Sequence, residues 1–142
     1  MDGPGSDQQA KKWSVLCVVI LGTFMAILDS NIVNVALPKM MANFSATVDQ
    51  IEWVVTAYMI AFAISMPATG WLQSRLGLKD VFIASLVLFV VGSVLCGLAW
   101  DKDSMIAFRI IQAAGGGAMM PTGISLVSEA FPPGERGMAM GV

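Results

Sequence analysis

Four long apolar runs constrain the fold of this chain more than any other feature of its sequence. No charged residue lies between Trp53 and Ser74, between Val81 and Trp100, or between Ile110 and Ser128. A helix rises about 1.5 Å per residue, so about 20 residues cross the ~30 Å hydrocarbon core of a bilayer. A fourth run at the amino-terminal end has similar length but contains Asp29. The sequence therefore predicts an all-α membrane protein, a transmembrane helix bundle with spans at about 13–37, 53–74, 81–100 and 104–128.

The composition agrees with a membrane protein and excludes several classes of function. Hydrophobic residues make up 56% of the 142 residues and charged residues 13%, whereas a soluble domain has roughly a quarter charged residues. The net charge is −2 and the few cations are scattered, so no basic face is available for nucleic acid. The lipid bilayer is the expected partner. Because the chain has no histidine and its two cysteines lie in apolar runs, we expect no metal site, no cofactor and no enzymatic activity.

The distribution of cations predicts the orientation of the chain in a cell membrane. Five cations fall on one side of the predicted spans, namely Lys11, Lys12, Arg75, Lys79 and Arg136. Only Lys39 and Lys102 fall on the other, so the positive-inside rule places the amino terminus in the cytoplasm. Residues 1–12 are then a cytoplasmic tail, with Met1–Ala10 expected to be disordered. A cleaved secretory signal is the alternative, but the spans that follow and the acidic Asp29 disfavour it.

The segments between the spans predict how the helices are connected. Residues 38–52 are expected to form a long outer connection, and the turns near Arg75 and Asp101 to be tight. Pro132 and Pro133 should break the fourth helix on the cytoplasmic side. A new apolar run begins at about Gly137, so residues 13–142 are expected to be the amino-terminal part of a longer bundle, ending as a fifth helix starts.

Two ionisable residues lie well inside the predicted spans, where a charge is costly unless it is paired or faces water. Counting from the outer helix ends places Asp29 about 12 Å and Arg109 about 8 Å below the outer surface. The depths predict an ion pair or two walls of one aqueous cavity. Gln112 lies one turn from Arg109 and is expected to hold the guanidinium. A purely architectural pair is the alternative, which we favour less because buried pairs stabilise poorly and membrane carboxylates recur in proton relays.

The first and fourth spans also carry polar and small residues with less specific signals. Asn31 and Asn34 share a helix face well away from Asp29, and contacts to a neighbouring helix suit them at least as well as contacts to a substrate. The glycine run 115–117 is expected to allow close helix approach.

Four segments together resemble a known family, in the right order and at the right spacing. They are Leu28–Pro38 (LDSNIVNVALP), Trp53–Tyr58 (WVVTAY), Gly70–Lys79 (GWLQSRLGLK) and Arg109–Gly117 (RIIQAAGGG). They are similar to the first helix, the second helix, the loop between helices two and three, and the fourth helix of the fourteen-span drug:proton antiporters (EmrB/QacA-type) of the major facilitator superfamily. The resemblance extends from about residue 13 to residue 142.

The resemblance implies a proton-coupled efflux transporter that works by alternating access on apolar, often cationic compounds. Its partners would be the small-molecule substrate, protons and the remaining helices of the full-length transporter. The site residues implied are Asp29, Arg109, Gln112 and Asn34 for proton coupling or substrate, and Gly70, Arg75, Gly77 and Lys79 for the gating loop. The chain departs from the loop motif at Ser74, where an aspartate is usual, and at Leu78 and Asp80, which replace basic residues. Ala113 replaces a glycine, and Asn31 a threonine.

Two other functions fit parts of the sequence. One is a small four-span exporter that dimerises and uses one membrane carboxylate. The other is a membrane scaffold or sensor that does not transport, in which Asp29 and Arg109 form only a structural pair. Replacing Asp29 with asparagine separates a scaffold from a transporter.

Overall fold

The computed structural model describes residues 4–141, and every regular element in this range is a helix. The elements are α1 (Pro4–Phe44), α2 (Val48–Leu76), α3 (Leu78–Gly97), α4 (Lys102–Ala130) and the short α5 (Arg136–Met140). Within the described range, four helices are long and apolar enough to cross a membrane. The predicted all-α bundle is therefore confirmed.

The first helix extends beyond its predicted span at both ends. The prediction of disorder for Met1–Ala10 is wrong from Pro4 onward, where α1 begins; residues 1–3 lie outside the described residues. Proline is accepted in the first helical turn, and the Gln, Ala and Lys residues that follow it are good helix formers. The helix then passes through Pro38 and ends at Phe44.

The long outer connection predicted for residues 38–52 is also wrong. Only residues 45–47 separate α1 from α2, and the backbone N–H of Thr47 donates to Gln50 Oε1 (3.3 Å) at the start of α2. Apolar side chains at the end of α1, including Met40, Met41 and Phe44, pack against a buried cluster built from the start of α2 and Met105. Because this packing stabilises extra helical turns, α1 and α2 reach beyond the hydrophobic spans read from the sequence.

Helix α4 lies at the centre of the bundle and contacts α1, α2 and α3. Its glycines explain how the backbones approach so closely. A Cβ atom built on Gly115 would lie 2.5 Å from the backbone nitrogen of Phe89, and one on Gly117 would clash with the carbonyl oxygen of Phe62. A Cβ on Gly92 of α3 would lie 2.6 Å from Gln112 Cα. The small residues therefore set the depth at which α4 enters the bundle, and with it the position of the side chains that α4 carries.

Candidate functional site

The two ionisable residues predicted to share a depth are in contact. Arg109 Nη1 donates to Asp29 Oδ2 at 2.6 Å, and Gln112 Nε2 donates to Asp29 Oδ1 at 2.9 Å. Arg109 is 4% exposed and Gln112 is fully buried, while 18% of the Asp29 side chain is exposed. The expected ion pair between the first and fourth helices is thus present, with both carboxylate oxygens accepting a hydrogen bond from α4.

Gln112 contacts a different partner from the one expected. The prediction that it holds the guanidinium of Arg109 is wrong, because its amide N–H donates to the carboxylate instead. Its Oε1 accepts from the Cys96 thiol on α3 at a sulfur–oxygen distance of 3.7 Å. A buried amide needs both a donor and an acceptor partner, and these two contacts supply them. Gln112 therefore links the carboxylate of α1 to α3 through α4.

A cavity of about 260 Å³ opens beside this ion pair, between α1 and α2. Its apolar walls are formed by Val33, Val54, Val55, Met59 and Phe62. Its polar lining consists of Ser30, Asn34, Tyr58 and Arg109. An apolar cavity with a few converging polar groups is the usual form of a small-molecule site.

Tyr58 is the residue of this site that sequence reasoning did not single out. Its ring lies 5.2 Å from Arg109 Cζ and 5.9 Å from the ring of Phe62, against which it stacks. The available signal was that Tyr58 is the only tyrosine of the chain and lies in a charge-free span. That signal does not show which helix the ring faces, so the contact with Arg109 emerges only from the packing of α2 against α4.

Asn31 and Asn34 of α1 lie in different surroundings. Asn34 lines the cavity beside Arg109, whereas Asn31 donates to the carbonyl oxygen of Ile27 (2.8 Å) and lies on another surface. Asn31 therefore bonds to its own helix, and among the described residues a hydrogen bond to a neighbouring helix, the alternative weighed above, is not seen for it. Of these two asparagines, Asn34 is the one that lines the cavity.

The predicted gating loop surrounds the junction between α2 and α3. Gly77 alone joins the helices, and its φ of 90° is a conformation that favours glycine. Arg75 lies over the Trp71 ring at 5.6 Å, while Lys79 and Gly70 are exposed. Among the described residues, neither Arg75 nor Lys79 forms an ion pair. Ser74, in place of the usual aspartate, donates to the carbonyl oxygen of Trp71 at 2.7 Å.

Two contacts, one near this loop and one between the start of α1 and the segment after α4, were not foreseen. Gln73 donates to the buried Thr122 hydroxyl at 2.9 Å and so ties the end of α2 to α4. Lys12 forms an ion pair with Glu135 at 3.3 Å, which brings the start of α1 to the segment after α4. No cluster of metal-ligating side chains is found among the described residues.

The spanning helices, the buried ion pair and the loop motif define a class of membrane transporter, and the chain belongs to the major facilitator superfamily. The sequence profile of the Major Facilitator Superfamily matches residues 19–142. The predicted family is confirmed by multidrug exporters among its relatives. The multidrug export protein EmrB of Haemophilus influenzae is 46% identical over 120 residues, which cover 84% of this chain and 24% of the relative.

Other relatives carry different substrate names. The riboflavin transporter RibZ of Clostridioides difficile is 39% identical over 132 residues, covering 93% of this chain and 29% of RibZ. The fatty acid resistance protein FarB of Neisseria gonorrhoeae is 38% identical over 140 residues, covering 99% of this chain and 27% of FarB. The chain thus spans about a quarter of the length of these curated relatives, and it is a multi-pass membrane protein of a transporter family.

Proposed function

We propose that this chain is the amino-terminal part of a proton-coupled multidrug efflux transporter that exports apolar or cationic compounds by alternating access. The observation that carries the proposal is the buried contact of Asp29 with Arg109 and Gln112, which joins α1 to α4 within the spans. The transporter would lie in the bacterial inner membrane with its amino terminus in the cytoplasm. Its partners would be protons, a small-molecule substrate and the remaining helices of the full-length protein.

The proposed coupling follows from the donors that face Asp29. When the carboxylate is ionised, both of its oxygens accept hydrogen bonds from α4. Protonation removes the negative charge of Asp29 and adds an O–H donor that faces the two donors of α4, Arg109 and Gln112. The contact between α1 and α4 is therefore weaker when Asp29 is protonated. A change of this kind favours one of two packings of the bundle over the other, as alternating access requires. A cationic substrate that competes for the carboxylate would act on the same contact.

The loop between α2 and α3 is proposed as part of the cytoplasmic gate. Arg75 and Lys79 carry exposed charges without an acidic partner in the described part of the chain, so they are available to the remaining helices. Gly77 supplies the tight junction, and Gly70 precedes it on α2. Because Ser74 replaces an acidic residue, this gate would rely on its cations and backbone rather than on an acid of the loop motif.

The test is Asp29→Asn in the full-length transporter. We expect proton-driven efflux of cationic substrates to be abolished while the protein remains folded in the membrane, and Asp29→Glu to retain part of the activity. The matched control is Asp103→Asn, which removes an exposed carboxylate of α4 and should leave efflux unchanged. Normal transport by Asp29→Asn with an unaltered pH profile would exclude Asp29 as the coupling acid.

The direct ion pair also favours a second candidate, the scaffold or sensor that does not transport. In that case Asp29 and Arg109 only hold α1 to α4, and removing the carboxylate should deplete the folded protein from the membrane. Quantitative membrane abundance, measured beside efflux, therefore separates the two functions. The alternative of a four-span dimeric exporter is tested by measuring drug efflux from vesicles that contain the 142-residue chain alone.

A further inference from the structure

Cys96 of α3 reaches the ion pair through one intermediate side chain. Its thiol donates to Gln112 Oε1 at a sulfur–oxygen distance of 3.7 Å, and the same amide donates through Nε2 to Asp29 Oδ1 at 2.9 Å. The coupling proposed above uses Asp29, Arg109 and Gln112, and it gives Cys96 no part. Because the thiol lies behind one of the two donors that meet the carboxylate, it affects how that donor is held.

The chemistry of its two neighbours determines the orientation of the Gln112 amide. An ionised carboxylate only accepts hydrogen bonds, so the amide nitrogen faces Asp29 and the amide oxygen faces α3. Gln112 is fully buried, and a buried amide oxygen without a donor is unfavourable. Among the described residues, the thiol of Cys96 is the one donor seen for this oxygen. The thiol therefore favours the orientation in which the amide donates to Asp29.

The packing of α3 on α4 fixes the backbone at this level of the bundle. A Cβ atom built on Gly92 would lie 2.6 Å from Gln112 Cα, so the two helices are in direct contact there. Cys96 lies one helical turn further along α3 and packs against the buried cluster that contains Val54 and Met105. Because both backbones are held, the freedom left to Gln112 is rotation of its side-chain amide, and this is the movement that the thiol opposes.

We propose that Cys96 is a positioning residue for the Asp29 carboxylate and that it acts through Gln112. Its S–H group holds the amide with the nitrogen toward α1, so the ionised carboxylate keeps two donors from α4. This inference rests on the proposed function, in which Asp29 is the coupling acid, and it extends the coupling contact to α3. A movement of α3 against α4 would then change the number of donors that Asp29 meets.

The infrared S–H stretch of the full-length transporter tests the thiol contact. This band lies in a region with little other protein absorption, and its frequency depends on whether the thiol donates. The Cys96 band is assigned by its loss in Cys96→Val. We expect Gln112→Leu to shift this band, because the acceptor is gone, and to leave the band of the exposed Cys17 in place. A Cys96 band that does not move in Gln112→Leu would overturn the proposal.

The infrared carboxylate stretch of Asp29 tests the positioning itself. In protein with isotope-labelled aspartate, the band of the ionised group is assigned by its loss in Asp29→Asn. Cys96→Val removes the donor and keeps an apolar side chain of similar size, and we expect it to shift the Asp29 band because the Gln112 amide is no longer held. The matched control Cys17→Val removes an exposed thiol of α1 and should leave the band in place.

A double variant shows whether the effect passes through the amide. In a Gln112→Leu background, Cys96→Val should cause no further shift of the Asp29 band. A shift of the same size in that background, or an unmoved band in the single variant Cys96→Val, would show that the thiol only packs and would overturn the proposal. Cys96→Ala, which also lacks a donor, provides the same comparison if valine depletes the folded protein from the membrane.

Efflux provides the functional measurement. We expect Cys96→Val to lower proton-driven efflux roughly two- to fivefold, the effect of losing one weak hydrogen bond, at unchanged membrane abundance. Cys17→Val should transport as the wild type does. Wild-type efflux by Cys96→Val would contradict a role of the thiol in coupling.

The infrared bands can be measured without transport, so this test and that of the proposed function fail separately. If Asp29→Asn transports normally while Cys96→Val shifts the carboxylate band, the coupling acid is wrong and the positioning contact stands. If Asp29→Asn abolishes efflux and Cys96→Val leaves the carboxylate band unmoved, the positioning role is wrong and the coupling proposal stands.

Discussion

At the scale of single residues, the contact between Asp29 and Arg109 was predictable and its surroundings were not. Both residues were identified because an ionisable group is costly inside a span, and simple counting along two helices matched their depths. Rotation about each helix axis is not contained in that count. Which acceptor the Gln112 amide donates to, and whether Arg109 meets the Tyr58 ring, depend on how α1, α2 and α4 pack. The sequence therefore predicted an ion pair or a shared cavity at this depth, but it did not predict the partner of Gln112 or the contact of Arg109 with Tyr58.

Removing the cation should show how strongly the carboxylate depends on it. Arg109→Ala leaves Asp29 buried with only Gln112 as a partner, and loss of one member of a buried pair costs about 3–5 kcal/mol. We expect a clear fall in Tm and loss of efflux. Arg109→Lys keeps the charge but lacks the planar fork, so it should be milder than alanine and still measurably impaired. Thermal unfolding in detergent and vesicle efflux check both effects; an Arg109→Ala variant as stable and active as the wild type would contradict them.

At the scale of helices, the number and type of elements followed from the apolar runs, whereas their ends did not. Hydropathy reports only the part of a helix that lies in hydrocarbon. Helix α1 continues past Pro38 because Met40, Met41 and Phe44 pack against a buried cluster, a tertiary contact that no window of the sequence contains. The tight turns predicted near Arg75 and Asp101 agree better with the observed junctions at Gly77 and Asp101. The reason is that a tight turn needs particular residues at fixed positions.

The start of α4 provides a prediction for pH dependence outside the membrane. Asp101 precedes the helix, and its Oδ1 accepts from the backbone N–H of Ser104 at 2.8 Å. Hydrogen bonds from the Ser104 hydroxyl and backbone hold the pKa of Asp101 below its ordinary value. The ionised carboxylate of Asp101 therefore stabilises the start of α4. Because its pKa is lower in the folded state, this stabilisation is complete above the unfolded pKa of about 4, and it is lost as pH falls through the folded pKa.

Hydrogen exchange at the Ser104 amide, corrected for intrinsic rates, checks this expectation. In the wild type, protection should decrease below about pH 4, whereas Asp101→Asn should keep a cap that no longer responds to pH. Asp101→Ala should lose protection at every pH. The control Asp103→Asn removes a nearby exposed acid and should retain the wild-type profile. A wild-type profile that is flat with pH would show that the Asp101 carboxylate does not hold this helix end.

At the scale of the whole molecule, the charge distribution and the packing both support the predicted orientation of the bundle in the membrane. Five cations on one side against two on the other predict a cytoplasmic amino terminus. The ion pair of Lys12 with Glu135, and the edge-to-face contact of Trp13 with Phe131 at 6.2 Å, bring the start of α1 and the end of α4 to the same side. The outer surface of the bundle carries many exposed apolar side chains, which suit contact with lipid.

Single-cysteine labelling checks the orientation. In a chain whose Cys17 and Cys96 are replaced by serine, a cysteine at Thr47 should react with an impermeant reagent from outside, and one at Gly134 only after the membrane is opened. Both positions are exposed, and a Cβ on Gly134 meets no other atom within 4 Å. Ser45 is less suitable because its φ is 48°. The reverse labelling pattern would contradict the orientation and the outer depth assigned to Asp29.

The last prediction concerns the chain as a transport unit. Alternating access needs two bundles that rock around a site between them, and the described residues form one bundle around α4. The 142-residue chain alone should therefore insert into lipid vesicles and show no proton-driven drug efflux. The full-length transporter in the same vesicles is the positive control, and cysteine labelling confirms that the short chain has inserted. Efflux by the short chain that is lost in Asp29→Asn would instead support the four-span exporter that dimerises, since a second copy would then have to supply the opposing bundle.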